Sequence, residues 1–245
     1  MLELRDLHKR FGGFSAVAGV SFELPRGSIM AIIGPNGAGK STLFNLITGH
    51  IPPSAGQVLL AGRDITGAPP YEICRLGVGR SFQRTNIFPH LSVFECIQAA
   101  LIAHHRMGRN FWRRSETLYR AETEALLHSL GIADKADSPA GALSHGNQKQ
   151  IELGIALASD PDILLLDEPT AGMSAAETHE TIDLIARIAR ERGLTLLFTE
   201  HDMEVVFSIA QSIGVLHQGR LIALGAPEVV RADTEVRRVY LGERE

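Results

Sequence analysis

Apolar residues along the chain follow two patterns. In the first, which covers residues 1 to about 90, short apolar runs are separated by turns that contain Gly and Pro. Such runs are typical of β-strands. They predict strands at 2–7, 20–24, 29–33, 57–60 and 78–82. The first run, M-L-E-L-R-D-L, alternates apolar and polar residues, which indicates a strand and not a signal peptide.

The second pattern, apolar residues at helical spacing, begins at about residue 91 and predicts helices at 92–105, 115–130 and 147–158. From about residue 160, strand and helix signals alternate. The elements predicted there are the strand 163–166, the helix 175–192, the strand 195–199, the helix 203–211 and a terminal hairpin that turns at Gln218-Gly219. This alternation of strands and helices is typical of a parallel sheet whose strands are buried on both faces.

Together the patterns predict one α/β domain over residues 1–245. Residues 1–90 and 160–245 would form its core, with a β-rich edge, and residues from about 91 to 158 would form an inserted helical subdomain. A chain of 245 residues is long enough to bury a sizeable core in this arrangement.

Composition narrows the function classes without naming one. The net charge is −4, so nothing in the overall charge favours a nucleic acid as partner. The two cysteines have no disulfide or metal spacing, which favours a reducing compartment. No apolar run approaches the roughly 18 residues that a membrane span requires. If the protein works at a membrane, we expect another chain to cross it.

A glycine-rich segment, G-P-N-G-A-G-K-S-T, directly follows the apolar run I-M-A-I-I. Its glycines allow the backbone to curl so that N–H groups cradle phosphate oxygens, and the helix that opens at Lys40 points its positive end at the same phosphates. Lys40 supplies a cation for the β- and γ-phosphates, and the Ser41 hydroxyl is a ligand for Mg²⁺. The nucleotide-binding residues predicted here are Gly34, Pro35, Asn36, Gly37, Ala38, Gly39, Lys40, Ser41 and Thr42. The segment predicts a nucleoside triphosphate site.

An acidic pair, Asp167 and Glu168, closes the buried run I-L-L-L. Parallel sheets place their ligands at the carboxyl ends of their strands, so Asp167 is expected to reach the Mg²⁺ held by Ser41. Glu168 is then suited to polarise the water that attacks the γ-phosphate. Without the phosphate loop, the pair would be interpreted as the start of an exposed loop.

A third segment, L-S-H-G-N-Q-K-Q at residues 143–150, leads into an apolar helix. With the phosphate loop, Gln83, D-E-P-T and T-E-H, it resembles the ABC-type ATPases, whose motif order and approximate spacing recur over nearly the whole chain. The resemblance implies an ABC-type P-loop ATPase core with a β-rich edge subdomain and an inserted helical subdomain. It also implies hydrolysis of ATP with Mg²⁺.

The resemblance assigns further roles. Ser144 and Gly146 match the family signature L-S-G-G-Q, which completes the ATP site of a facing subunit. Alone, such a segment would be a plain helix cap. Gln83 matches a glutamine that senses Mg²⁺ and the membrane subunit, and His201 matches the histidine that contacts the γ-phosphate. Phe11 lies where the family places an aromatic side chain on adenine, and simple burial at a strand end is the alternative.

Two departures from the family pattern affect the contacts between subunits. His145 and Asn147 replace the commonest Gly and Gln of the signature, and Ser174 stands where many relatives have Asp. The phosphate contacts assigned to Ser144 and Gly146 survive both changes. The contacts assigned to Asn147 and Ser174 stay open.

Within the family, the chain resembles the ATPase of branched-chain, hydrophobic amino-acid importers, in stretches such as R-S-F-Q-R-T-N-I-F-P-H-L-S-V-F-E and E-H-D-M-E-V-V-F. This implies a peripheral protein at the cytoplasmic face of the inner membrane. Its implied partners are integral-membrane permeases, a second ATPase subunit, identical or homologous, and indirectly a periplasmic binding protein, with no nucleic acid. The ending R-V-Y-L-G-E also resembles the ATPase of lipopolysaccharide export. Soluble ABC-type proteins of translation or DNA repair are a third alternative.

A basic stretch, residues 104–120, contains five arginines and the only tryptophan. A solvated face of the helical subdomain is one interpretation. Contact with lipid headgroups or a membrane subunit is the other, because Trp and Arg are common interface anchors.

Overall fold

The computed structural model of this protein describes residues 1–81, 87–105 and 118–241. Within these ranges lie ten strands, nine α-helices and two short 3₁₀ helices, Ala133–Lys135 and Ala140–Ala142. The strands are β1 (Leu2–Phe11), β2 (Phe14–Leu24), β3 (Ile29–Ile33), β4 (Ala55–Leu60), β5 (Arg63–Asp64), β6 (Val78–Arg80), β7 (Ile163–Asp167), β8 (Thr195–Thr199), β9 (Ser212–His217) and β10 (Arg220–Gly225). The helices are α1 (Lys40–Ile47), α2 (Pro70–Arg75), α3 (Val93–His104), α4 (Arg120–Leu130), α5 (His145–Leu157), α6 (Ala175–Arg192), α7 (Met203–Ile209), α8 (Pro227–Ala232) and α9 (Thr234–Leu241).

A six-stranded sheet organises the core, with strand order β10-β9-β3-β8-β7-β6. All its described pairings are parallel except that of β9 with β10. Every residue of β3, β7 and β8 is buried, which explains their continuous apolar sequences and confirms strands buried on both faces. Because these three strands are neighbours, their carboxyl ends meet at one edge.

A second, four-stranded sheet has the order β2-β1-β4-β5, and its pairings are antiparallel. It packs through β1, β2 and β4 onto α1 and one face of the larger sheet in a shared apolar cluster. This sheet is the β-rich edge that the sequence predicts. It brings β2 beside the amino end of α1.

Between β6 and β7, the regular elements of the described residues are helical, with α3, α4 and α5 as the long ones. Their apolar faces join α6 and the other face of the larger sheet in one continuous cluster. Ser92 opens α3 with a capping box to Glu95, which explains the sharp start of that helix. The boundaries of a separate helical subdomain stay a prediction.

Several sequence-based bounds need correction. β2 begins at Phe14, well before the predicted residue 20, because it continues its antiparallel ladder with β1 to the turn. α7 ends at Ile209 rather than 211. The short helices α2, α8 and α9 have no counterpart in the sequence analysis. No helix in the described ranges is long and apolar enough to cross a membrane.

Candidate functional site

The phosphate-loop segment lies between the end of β3 and the start of α1 at Lys40, as predicted. Gly39 has a φ of 108°, and a Cβ added to it would lie 2.4 Å from the Ala16 carbonyl oxygen. A Cβ on Gly34 would lie 2.3 Å from the Leu216 carbonyl oxygen. Both positions therefore require glycine for the close approach of neighbouring backbone.

Backbone hydrogen bonds from the turn between β9 and β10 support the phosphate loop. The N–H of Gly219, in the turn between β9 and β10, donates to the Ala38 oxygen at 2.9 Å, and the Gly219 oxygen accepts from the Ala18 N–H at 2.8 Å. The turn thus ties the loop to β2. The hairpin was predicted from the sequence, but no local sequence pattern indicated that its turn supports the phosphate loop.

Lys40 is 6% exposed and lies over its own loop. Its ammonium donates to the carbonyl oxygens of Gly34 at 2.6 Å and Pro35 at 3.3 Å. Burial lowers the pKa of Lys40, and the charges of Glu168 and Asp167 partly oppose that shift. Ser41, in the first turn of α1, is exposed. The cation, the hydroxyl and the two carboxylates therefore share one edge of the sheet.

Asp167 is the last residue of β7 and is 3% exposed. One carboxylate oxygen, Oδ1, accepts a hydrogen bond from the Thr199 hydroxyl at 2.8 Å. The other, Oδ2, lies 3.5 Å from the Arg80 guanidinium. Thr199 lies in the T-E-H motif and Arg80 in the stretch R-S-F-Q-R, but the sequence assigned neither a role, because their contacts with Asp167 join separate strands.

Glu168 leaves the strand with a φ of 51°, a conformation unusual for a non-glycine residue and often found at functional sites. Its N–H donates to the backbone oxygen of Thr199 at 3.1 Å and to the hydroxyl at 3.0 Å. Its carboxylate lies 2.6 Å from Nε2 of His201. The structure thus brings together the two residues that the sequence proposed for hydrolysis.

A buried carboxylate beside His201 was missed by the sequence analysis. Glu200 is 3% exposed and accepts hydrogen bonds from the Thr170 N–H at 2.9 Å and from the Thr170 hydroxyl. It also accepts from the His201 N–H at 3.1 Å. Glu200 therefore couples the end of β8 to the D-E-P-T turn, and both flank the Glu168–His201 pair.

The signature segment begins α5, with Ser144 as its N-cap. The exposed Ser144 hydroxyl accepts from the Asn147 N–H at 3.3 Å, while a Cβ on buried Gly146 would lie 3.3 Å from a Glu177 oxygen at the start of α6. Within the described part of the chain, the hydrogen bonds of Ser144 stay inside its own helix end and do not reach the phosphate loop. Ser174 caps α6 in a capping box with Glu177, so its hydroxyl serves its own helix.

The remaining two predicted residues have different outcomes. Phe11 is 50% exposed at the end of β1, which argues against simple burial, and the Lys9 ammonium lies 5.1 Å from its ring centre. Stacking on adenine stays a prediction. Gln83 lies outside the described residues, as does most of the basic stretch 104–120.

Replacing Gly39 with alanine is expected to lower the free energy of unfolding by about 2–4 kcal/mol, because the added methyl group meets backbone and the positive φ is strained. Gly37 is the matched control: its φ is 79°, but an added Cβ would meet nothing within 4 Å. Gly37→Ala should therefore cost only about 1–2 kcal/mol. Urea unfolding without nucleotide measures both, and equal losses would contradict the packing role of Gly39.

Known proteins resemble this chain both in sequence and in fold. A family model described as ABC transporter matches residues 17–171, and one described as branched-chain amino acid ATP-binding cassette transporter matches residues 220–245. The high-affinity branched-chain amino acid transport ATP-binding protein LivG of Salmonella typhimurium is 38% identical, over 99% of this chain and 98% of its own. The ADP conformation of an ATP-binding cassette superposes with a TM-score of 0.86 at 31% identity, covering 99% of each chain. A dimeric cassette bound to ADP and Pi has a TM-score of 0.78 at 25% identity, covering 93% of this chain and 99% of that one.

Proposed function

The chain belongs to the ABC transporter ATP-binding family, and we propose that it hydrolyses ATP with Mg²⁺ to drive import of branched-chain or other hydrophobic amino acids through separate membrane subunits. The observation that carries the chemistry is the convergence of Lys40, Asp167 and the Glu168–His201 pair at one sheet edge. The similarity to LivG over nearly the full length supports the choice of solute class.

The residues at this edge fit a nucleoside triphosphate. The loop turns through glycines and opens α1 without an acidic residue in its first turn, so the positive end of the helix stays available to phosphates. The Lys40 ammonium already donates to carbonyl oxygens of the loop, which places it within reach of a phosphate cradled there. Exposed Phe11 offers a ring face for a base.

The donor set also fits Mg²⁺. Ser41 supplies a hydroxyl and Asp167 a carboxylate, both hard oxygen ligands. In the described part of the chain, no cluster of three His, Cys, Asp or Glu side chains offers a protein-only metal cage. Few protein ligands suit Mg²⁺, because this ion keeps several waters and substrate phosphate oxygens in its shell. Bound there, Mg²⁺ would neutralise charge on the phosphates.

Hydrolysis requires a residue that orients a water molecule. The Glu168 carboxylate is directed by its backbone bonds to Thr199 and by its contact with His201, so it is placed to accept a hydrogen bond or a proton from water. His201 is 43% exposed at its side chain and can face the γ-phosphate while it contacts Glu168. The two residues would then act as one unit.

A second ATPase subunit is part of this proposal. Ser144 and His145, at the amino end of α5, are exposed, so the Ser144 hydroxyl is available to a phosphate of a facing subunit. A dimeric structure of a similar cassette supports such an assembly. Permeases, contacted near Gln83, and a periplasmic binding protein would complete an importer at the cytoplasmic face of the inner membrane.

Uptake in cells tests the solute class. Deleting the gene should reduce uptake of labelled leucine but not of labelled glutamate, and the wild-type chain, but not Glu168→Gln, should restore it. The match of the C-terminal residues to the branched-chain family supports this over lipopolysaccharide export. Unchanged leucine uptake together with a loss of surface lipopolysaccharide would favour the export function instead.

A further inference from the structure

Arg80, the last residue of β6, is a buried cation next to the candidate Mg²⁺ site. Its side chain is 8% exposed, and its guanidinium lies 3.5 Å from Oδ2 of Asp167. Burial lowers the pKa of Arg80, and the Asp167 carboxylate opposes that shift. A charge held at this depth needs a function or a strong counter-charge, because desolvation is costly.

Neutral groups from α1 and from its C-cap residue, Thr48, anchor the same guanidinium. Its Nη1 donates to Oδ1 of Asn45 at 2.7 Å and to the hydroxyl of Thr48 at 2.8 Å. The Phe44 ring centre lies 5.9 Å from the guanidinium carbon. Arg80 therefore connects the helix that begins at the phosphate loop with the carboxylate at the end of β7.

The contacts leave the Asp167 carboxylate fixed on both sides, by Thr199 at Oδ1 and by Arg80 at Oδ2. Two cations offset the negative charge here: Lys40 feels the charges of Glu168 and Asp167, and Arg80 lies beside Asp167. Lys40 donates to the phosphate loop, where a nucleotide would engage it, whereas Arg80 contacts the carboxylate itself. Arg80 is thus a counter-charge in direct contact with the proposed metal ligand.

We propose that Arg80 is a positioning residue that neutralises and orients Asp167, so that a divalent cation is held only together with the phosphates of a nucleotide. The inference rests on the proposed function, in which Asp167 and Ser41 hold Mg²⁺. Without nucleotide, the charge of Arg80 offsets that of Asp167, so this carboxylate attracts a cation weakly. Triphosphate adds negative charge, and the metal then binds to a carboxylate that is already oriented.

Binding of Mn²⁺ to the nucleotide-free protein, measured by electron paramagnetic resonance, tests this directly. Arg80→Gln removes the charge and should tighten Mn²⁺ binding at least about tenfold, because a neighbouring unit charge affects a divalent cation by that much even at the dielectric of water. Arg80→Lys keeps the charge and should bind Mn²⁺ as weakly as wild type. Arg26→Gln is the matched control, since Arg26 pairs with Asp162 at 3.1 Å but is 66% exposed at its side chain.

Equal Mn²⁺ affinities in Arg80→Gln and Arg26→Gln would overturn the inference, as would Arg80→Lys binding as tightly as Arg80→Gln. If Arg80→Gln does not fold, the Mn²⁺ affinities of wild type and of Arg80→Lys are compared with and without a non-hydrolysable ATP analogue. An affinity that the analogue does not change, in either protein, contradicts the inference. A wild type that binds no Mn²⁺ even with the analogue would instead refute the proposed metal site.

Discussion

Replacing Glu168 with glutamine is expected to reduce ATP hydrolysis by about 10²–10⁴-fold while ATP binding survives. The substitution keeps the volume of the side chain and removes the carboxylate that lies 2.6 Å from His201. Glutamine cannot accept a proton from water at neutral pH. Lys40, Ser41 and Asp167, which are proposed to bind the phosphates and Mg²⁺, are unchanged.

Because hydrolysis is blocked after binding, the Glu168→Gln protein should accumulate as an ATP-bridged dimer. Size-exclusion chromatography with light scattering, in ATP and in ADP, measures this. In the wild type, activity should rise faster than linearly with protein concentration, because two chains would form each complete site. A non-identical partner, or the changes at Asn147 and Ser174, would weaken the homodimer. The partner ATPase is therefore added before a monomeric result is taken as evidence against the dimer.

Adding Ser144→Arg to Glu168→Gln should abolish the dimer, because it places bulk and charge where the γ-phosphate of the facing subunit would lie. Ser208→Arg, on an exposed position of α7, is the matched control and should leave the dimer intact. A protein that stays monomeric in both nucleotides, with the partner present, would contradict the shared-site mechanism.

Replacing Lys40 with alanine should lower ATP affinity by roughly 10–100-fold and make hydrolysis negligible, because a bond from a cation to a charged group is worth about 1.5–3 kcal/mol. Fluorescence titration with a labelled ATP measures affinity, and phosphate release measures hydrolysis. The free energy of unfolding without nucleotide should change by no more than about 2 kcal/mol, since the hydration that the ammonium loses on burial offsets its bonds to loop carbonyls and its attraction to Asp167 and Glu168.

Lys135→Ala is the matched control for Lys40→Ala. Lys135 is a lysine that pairs with a neighbouring surface carboxylate, Asp134, away from the phosphate loop. It should retain both affinity and turnover. Wild-type turnover in Lys40→Ala would refute the assignment of the phosphate loop.

Local sequence patterns were sufficient to predict the central strands of the larger sheet and the motifs at their carboxyl ends. The strands β3, β7 and β8 are built on apolar runs, the phosphate loop follows β3, and the acidic pair Asp167-Glu168 lies at the end of β7. Such signals are readable because each depends on neighbours along the chain. The short helices α2, α8 and α9 were not predicted; α2 and α8 have six residues each, fewer than two helical turns, which is too short for a periodic pattern.

The sequence alone therefore determined the type of sheet, the phosphate loop and the acidic pair, each a local pattern. Only the tertiary structure decided which distant residues support them: Thr199 and Arg80 on Asp167, Gly219 on Ala38, and Glu200 on the turn after Glu168. These contacts depend on strand order and register, which place residues far apart in the chain side by side. No local pattern encodes that pairing, because it results from how all the apolar faces of the chain are buried together.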